Sequence, residues 1–423
     1  MLIHRPRVTR TDHEVRLEAA VDVDAPGVER PPTLWFALPA RHERHVTDRA
    51  DGFAAALLPL AMALGEPMRV EGALSYRLAA GMREYQRIQS AWKPELFREV
   101  EIECAGLEAA VRAGGPRGVG LAFSGGVDSF YTLRGHLEEN EPYAPFRVTH
   151  CVMINGFDED GDLEDTGSFA AIQRVYEPMM AAHGVEVLTV RTNLLRVLGR
   201  PVRAQSFAAF LTAPALLLGG LVARYYVSSG CKFTTMGLYP DGSHVILDHL
   251  LATETMETSH EDANVTRLEK ILALSRWPDT YARLRVCFGA TGVQPGQDAI
   301  ANCCACEKCV RTMVSLDLAG ALRNYSCFPR PLTRRAVRSM SYADGRGRLF
   351  MPEIIELADR LGRKAVATDL RLANLLNLTT RRVVRAATRA NSRLEKRSTA
   401  YASVAARPKR LLKRWGLGRG WLY

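Results

Sequence analysis

Residues 118–129 read GVGLAFSGGVDS. An apolar run ends at Phe123, two consecutive glycines follow between the hydroxyls of Ser124 and Ser129, and Asp128 stands where the helical segment DSFYTLRGHL begins. A run that is apolar on both faces reads as a strand buried inside a parallel sheet. Gly125 and Gly126 allow backbone angles other residues resist, so successive N–H groups converge on one point at a helix N-terminus, where the dipole favours an anion. Ser124 and Ser129 add hydroxyl donors. Asp128 is negative and does not bind phosphate directly; it suits a Mg²⁺ ion that bridges to phosphate, or a helix cap. A plain strand–helix turn explains one glycine and one cap but not the whole hexapeptide. A Walker loop is excluded because no lysine follows the glycines, and a dinucleotide fingerprint fails on spacing.

Outward from this stretch, VGLAF, VTHCVMI, VEVLTV and FTTMGL read as strands and helical segments follow the first three. That alternation predicts an α/β fold with a doubly wound parallel sheet, with ligands outside the carboxyl ends of its strands. Residues 1–115 read as a small N-terminal α/β domain. EVRLEAAVDVD alternates with Val15, Leu17, Ala19, Val21 and Val23 on one face, TLWFAL and VEIEC are further strands, and FAAALLPLAMAL and LSYRLAAGMREYQRIQSAW are helices. The linker RAGGPRG, from Arg112, marks a boundary. The second domain covers 116–325, and 326–423 form a helical C-terminal extension. The uncharged run Ala204–Ala223 has the length of a membrane span, but Pro214, Gly219 and Gly220 and its place in the alternation make it a buried helix.

A chain of 423 residues exceeds one core, and 47% hydrophobic with 24% charged residues is ordinary for a folded soluble protein. The first twenty residues hold no apolar core of signal-peptide length, so a cytoplasmic location is expected. The net charge of +10 is uneven: from Arg371 onward there are fourteen basic residues and one acidic residue, Glu395, while the rest of the chain carries 42 and 45. The basic tail suits RNA or an anionic membrane surface, with Trp415, Trp421 and Tyr423 for stacking or an interfacial position; a solvated helix is the plainer reading.

Of nine cysteines, four fall within Cys303–Cys309. Cys303, Cys306 and Cys309 at CxxC spacing can face one ion, and Cys287 upstream completes a tetrahedral set for Zn²⁺. Cys304 is the alternative to Cys303; spacing favours Cys303. A bacterial ferredoxin pattern requires a cysteine where Met313 stands.

SGGVDS after a strand resembles the PP-loop of the ATP pyrophosphatase superfamily, whose pattern is SGGxDS. The resemblance covers roughly Gly118 to Asn324. It implies a PP-loop, adenine nucleotide alpha hydrolase-like fold in which Ser124, Gly125, Gly126, Val127, Asp128 and Ser129 hold ATP and Mg²⁺. It also implies that the chain splits ATP to AMP and pyrophosphate while adenylating a carboxylate or carbonyl oxygen, with Asp128 and Ser129 as the catalytic pair. The cysteines resemble the zinc motif of 7-cyano-7-deazaguanine synthases, with Cys304 where that pattern has glycine. That likeness implies a structural zinc on Cys287, Cys303, Cys306 and Cys309.

The acidic segment GFDEDGDLEDTG fails the calcium-loop pattern at its glycine and at Phe169, and is expected to border the ATP site. The segment 242–271 carries His244, Asp248, His260, Arg267 and Lys270. His244 is a candidate donor to substrate and Arg267 a candidate clamp for its carboxylate. Lys308 and Arg311, beside the cysteines, are further candidates for substrate or phosphate. The expected activity is an AMP-forming ligase that passes an activated small molecule to ammonia or an amine, in a chain that could form a homo-oligomer. A sulfur transferase acting on tRNA is the alternative, with Cys151, Cys231, Cys304 or Cys327 as its reactive thiol. A nucleotide-binding module without turnover is the third reading.

Overall fold

The computed structural model describes residues 1–25, 31–111, 117–157, 163, 166–203, 205–236, 241–287, 292–342 and 346–377. The chain divides into two compact units. The first is Met1–Lys270 with Ala282–Arg285 and Gly292–Ile300; the second is Ile271–Tyr281, Val286–Thr291 and the chain from Ala301 onward.

The first unit is built on one sheet. Its strands are β1 (Leu2–Ile3), β2 (Arg7–Arg10), β3 (Glu14–Asp22), β4 (Thr33–Pro39), β5 (Met68–Leu74), β6 (Ile102–Leu107), β7 (Gly118–Ala122), β8 (His150–Asn155), β9 (Glu186–Thr192), β10 (Val222–Ser228) and β11 (Glu257–Glu261). They lie in the order β11-β10-β7-β8-β9-β4-β3-β1-β5-β6, with β2 paired to β3. From β11 to β9 every pairing is parallel. With β7 as its first strand, this half has the order of a doubly wound sheet. The direction of winding reverses between β7 and β10, and such a switch point opens a crevice at the carboxyl ends. β4 then joins β9 antiparallel, Phe36 opposite Thr192, so the N-terminal strands continue the same sheet. The boundary expected at residues 115 and 116 lies within residues 112–116, outside the described residues, and the first unit runs on to Lys270.

Helices cover both faces of the sheet. On one face Asp51–Leu64, Tyr76–Trp92 and Phe207–Leu217 contribute Phe53, Leu57, Leu78, Tyr85, Phe210 and Leu216 to a core shared with Leu17, Phe36, Val152 and Tyr225. On the other, Phe123 meets Phe130 of helix Val127–Gly135 at 5.1 Å and Tyr176 of helix Thr166–Ala182 at 5.2 Å, both edge-on.

Two expectations are corrected. FTTMGL is not the fourth strand: Phe233–Met236 is a single helical turn, with the residues after it outside the description. That strand is β10, VARYYVS, and the uncharged run before it is a buried helix, Phe207–Leu217, only as far as the Gly219-Gly220 break. The β-branched and aromatic residues after the glycines favour the extended chain. Among the described residues no helix is long and apolar enough to cross a membrane.

The second unit is helical around the cysteines, with Glu307–Leu318, Met351–Arg360 and a helix over residues 364–377. Asp369, 3% exposed, holds Arg334 at 2.8 Å and Arg338 at 2.6 Å. The basic tail from residue 378 and most of the acidic segment after β8 lie outside the described residues.

Candidate functional site

The chain leaves β7 still tied to β8, with Phe123 N–H donating to Val152 O at 2.9 Å. Gly125 then takes φ +73°, and a Cβ there would stand 1.9 Å from Tyr176 Oη, so both the angle and the space demand glycine. Tyr176 Oη donates to Arg283 O at 3.1 Å and Arg285 N–H donates to Gly125 O at 2.7 Å, which fixes the turn from outside. Gly126 N–H donates to Ser124 Oγ at 3.2 Å and Ser129 Oγ donates to Gly126 O at 3.2 Å. The two hydroxyl oxygens lie 3.5 Å apart. The first intrahelical bond runs from Phe130 N–H to Gly126 O, so the amides of Val127, Asp128 and Ser129 precede it at the helix mouth. The Val127 side chain is wholly buried and its contribution there is the backbone.

Asp128 is the hub of this mouth. Its Oδ2 accepts from Arg267 Nη1, and its Oδ1 lies 3.8 Å from Lys270 Nζ. Lys270 is 1% exposed, donates to Ser229 O at 2.7 Å just beyond β10, and stands 5.7 Å from the centre of the Tyr131 ring. Arg267, expected to clamp a substrate carboxylate, is thus engaged with the loop's own carboxylate. One helical turn on, Thr132 Oγ1 donates to Asp262 at 2.5 Å, and burial raises the pKa of Asp262. Asp262 has φ +61°, just past the end of β11.

Among the described residues, four buried polar atoms without a hydrogen-bond partner stand at the carboxyl edge of the parallel strands: Asp128 Oδ1 after β7, Asn155 Nδ2 at the last residue of β8, Ser228 Oγ at the last residue of β10, and His260 Nε2 near the end of β11. Each such atom costs about 1–3 kcal/mol relative to a paired one. Unpaired polar atoms at the ligand edge of a doubly wound sheet suit a surface that completes its hydrogen bonds with a bound molecule. His244 is 8% exposed, edge-on to Trp92 at 5.0 Å, and its Nδ1 accepts from Ile246 N–H at 3.2 Å. Burial lowers its pKa.

In the second unit Cys287, Cys303, Cys306 and Cys309 place their sulfurs within 4.8 Å of one another. Cys303 and Cys309 are 3.7 Å apart and Cys287 and Cys306 are 3.8 Å apart. A tetrahedral ion with metal–sulfur bonds of about 2.3 Å requires sulfur–sulfur edges of about 3.8 Å, so the four thiols fit a metal ion such as zinc. Hydrogen bonds from Cys306 and Cys309 lower the pKa of Cys287, and the same contacts raise those of Cys306 and Cys309. Cys304 turns away: its Sγ donates to Asn302 O at 3.4 Å and it takes φ +54°. Asn302, 2% exposed, clamps the arms of the site. Its Oδ1 accepts from Val286 N–H at 2.9 Å and Cys287 N–H at 3.3 Å, and its Nδ2 donates to Cys327 O at 3.0 Å. The sequence offered only one hint of this role, a turn-forming residue directly before the first clustered cysteine.

Arg311 is held by its neighbours. Its side chain is 4% exposed, with Nε 2.9 Å from Glu307 and its guanidinium 4.2 Å over Phe350. Lys308 is half-buried in the first turn of the same helix. Among the remaining thiols considered, Cys151 and Cys327 are fully buried and Cys304 is nearly so, whereas Cys231 is half-buried in the turn after β10.

Comparison with protein-family models, with characterised proteins and with solved structures gives no match to this chain.

Proposed function

We propose that the chain is an AMP-forming ligase of the PP-loop type. It would bind Mg²⁺ and ATP at Ser124–Ser129, adenylate a carboxylate or carbonyl oxygen of a small molecule, and pass the activated carbon to ammonia or an amine. The observation that carries this reading is the position of the loop. A glycine turn with φ +73° and a helix N-terminus sits at the end of β7, where the winding of the parallel sheet reverses. ATP supplies a good leaving group; the loop amides and hydroxyls hold the departing pyrophosphate where its charge develops. Arg267 and Lys270 balance Asp128, so the carboxylate does not repel that anion, while its buried Oδ1 accepts no hydrogen bond from the described residues. The four thiols would hold a structural Zn²⁺, which leaves no open position for catalysis.

The test is formation of AMP and pyrophosphate from Mg-ATP by purified protein supplied with a cell extract split into small-molecule and RNA fractions. The ligase predicts turnover with small molecules, lost in Asp128→Ala. ADP as the product would exclude it.

A second reading, sulfur transfer to tRNA, is favoured by one feature: Cys231 is half-buried and follows β10, the neighbour of β7. Turnover restricted to the RNA fraction and abolished in Cys231→Ser would select this reading over the ligase.

A further inference from the structure

An apolar stripe lies on the surface of the second unit, on the helix over residues 364–377. One side of this helix is packed: Ala367, Leu370 and Ala373 are wholly buried. Asn377 pins the last described turn, its Oδ1 accepting from Tyr342 N–H at 3.0 Å and its Nδ2 donating to Met340 O at 2.7 Å. That packing fixes which side faces outward. The outward side carries Leu372, Leu375 and Leu376, exposed by 39%, 57% and 48%, at the i, i+3, i+4 spacing of one helical face. Scattered exposed leucines are ordinary, but three on one face within little more than a turn form a patch.

Cations border this patch. Asp369, one turn before Leu372, draws in both Arg334 and Arg338, and two guanidinium groups on one carboxylate leave a positive excess. The side chains of Arg334 and Arg338 remain 65% and 46% open to solvent, and Arg335 between them is exposed as well. The chain that follows the helix, residues 378–423, carries thirteen basic residues and one acidic residue, Glu395. Trp415, Trp421 and Tyr423 stand among them.

The occupant of such a surface has to offer apolar material beside negative charge. A second copy of this chain brings the same positive charge to the patch and is repelled. RNA offers phosphates and aromatic faces, on which leucines do not stack. An anionic bilayer offers both in one plane, headgroups for the arginines and hydrocarbon beneath for the leucines, with the headgroup level suited to tryptophan and tyrosine. We propose that the Leu372–Leu376 stripe docks the protein on the surface of an anionic membrane, with helix 364–377 lying in the interface and its leucines toward the acyl chains. The attachment is peripheral and stands or falls separately from the ligase activity.

The test is co-sedimentation of the purified full chain with vesicles of phosphatidylcholine, alone or mixed with phosphatidylserine. Wild type should pellet with the mixed vesicles only. The bound fraction should fall as salt rises from about 0.1 M to about 1 M, where the screening length shrinks from about 10 Å to about 3 Å. Replacing all three leucines (Leu372→Ser, Leu375→Ser, Leu376→Ser) should weaken binding to mixed vesicles about tenfold or more, because the lipid no longer covers their apolar area. Circular dichroism should be unchanged, since the side chains are exposed. Hydrogen exchange in wild type reads the same contact without substitution: residues 364–377 should gain protection on mixed vesicles. Vesicle binding that keeps its strength in the triple variant, or that leaves 364–377 unprotected, would assign attachment to the basic sequence alone and overturn the docking surface. Failure to bind mixed vesicles overturns it too, whether tRNA binds instead or the triple variant merely lowers the mass of an oligomer.

Discussion

At the scale of single residues, the phosphate loop separates two adjacent glycines. Gly125 has φ +73° and a Cβ added to it meets Tyr176 Oη, whereas Gly126 has φ −82° and its nearest obstacle is Ser124 Oγ at 3.1 Å. Gly125→Ala therefore carries both the left-handed cost, about 1–2 kcal/mol, and the displacement of Tyr176. Gly126→Ala has only a short contact with a side chain able to rotate. Urea unfolding should show a lower midpoint for Gly125→Ala at unchanged slope and a small change for Gly126→Ala; equal midpoints would contradict the turn described here. The cysteines divide in the same way. Cys303→Ser removes a sulfur from the four-thiol set and should release bound zinc, while Cys304→Ser changes a side chain whose Sγ faces Asn302 O and should retain it. Zinc content by atomic absorption decides, and equal loss in both would reopen the choice of ligand.

At the scale of elements, helix Tyr76–Trp92 is fastened at its start by Glu254 as well as by its own cap. Ser75 Oγ accepts from Leu78 N–H at 3.1 Å and donates to Glu254 at 2.8 Å, and Glu254 also accepts from Arg77 N–H and Ala110 N–H. Burial alone would raise this carboxyl, but the donors outweigh it and bring its pKa from 4.5 to about 2. A depressed folded-state pKa adds stability above 4.5 that is lost as pH falls toward 2. Wild type should lose stability across that window more steeply than Glu254→Gln in acid titrations followed by circular dichroism. The difference should be small, because Glu254 is exposed and water screens it; identical slopes would remove Glu254 from the account. The elements most legible in the sequence were those with one strong period or composition: β3 with its buried alternation, β7 to β9 with their apolar runs, and the long helices. β11 was missed because ETSHE is short and polar, and as an edge strand it is held by one neighbour rather than by an apolar face. β10 was hidden because helix Phe207–Leu217 and strand Val222–Ser228 share one nearly uncharged run, with only two glycines between them.

At the scale of the whole molecule, the sequence divided the chain by composition, whereas the folded chain divides by what packs together. β4 pairs with β9, so residues before the glycine linker and after it share one sheet, and no local pattern announces a pairing between residues 36 and 192. The CxxC spacing made the metal set legible, but not that Cys287 and residues from Ala301 onward would belong to a unit separate from the phosphate loop. That separation yields a prediction. In the second unit the four thiols tie Cys287 to Cys303, Cys306 and Cys309, at the start of helix Glu307–Leu318, and the Asn302 clamp joins the same arms by hydrogen bonds. Zinc on such a set contributes about 10–16 kcal/mol of apparent binding energy in small peptides, more than most domains have in net stability. Stripping the metal with a chelator under reducing conditions should therefore release the second unit while the sheet unit keeps its fold. Hydrogen exchange read by mass spectrometry should show peptides from residues 301–342 losing protection and peptides from β7, β8 and β10 keeping theirs. Asn302→Ala, with the thiols intact, should give a milder version of the same pattern. Uniform loss of protection in both units would mean that the sheet unit depends on the metal as well, and unchanged protection throughout would mean that the four thiols do not hold a structural ion.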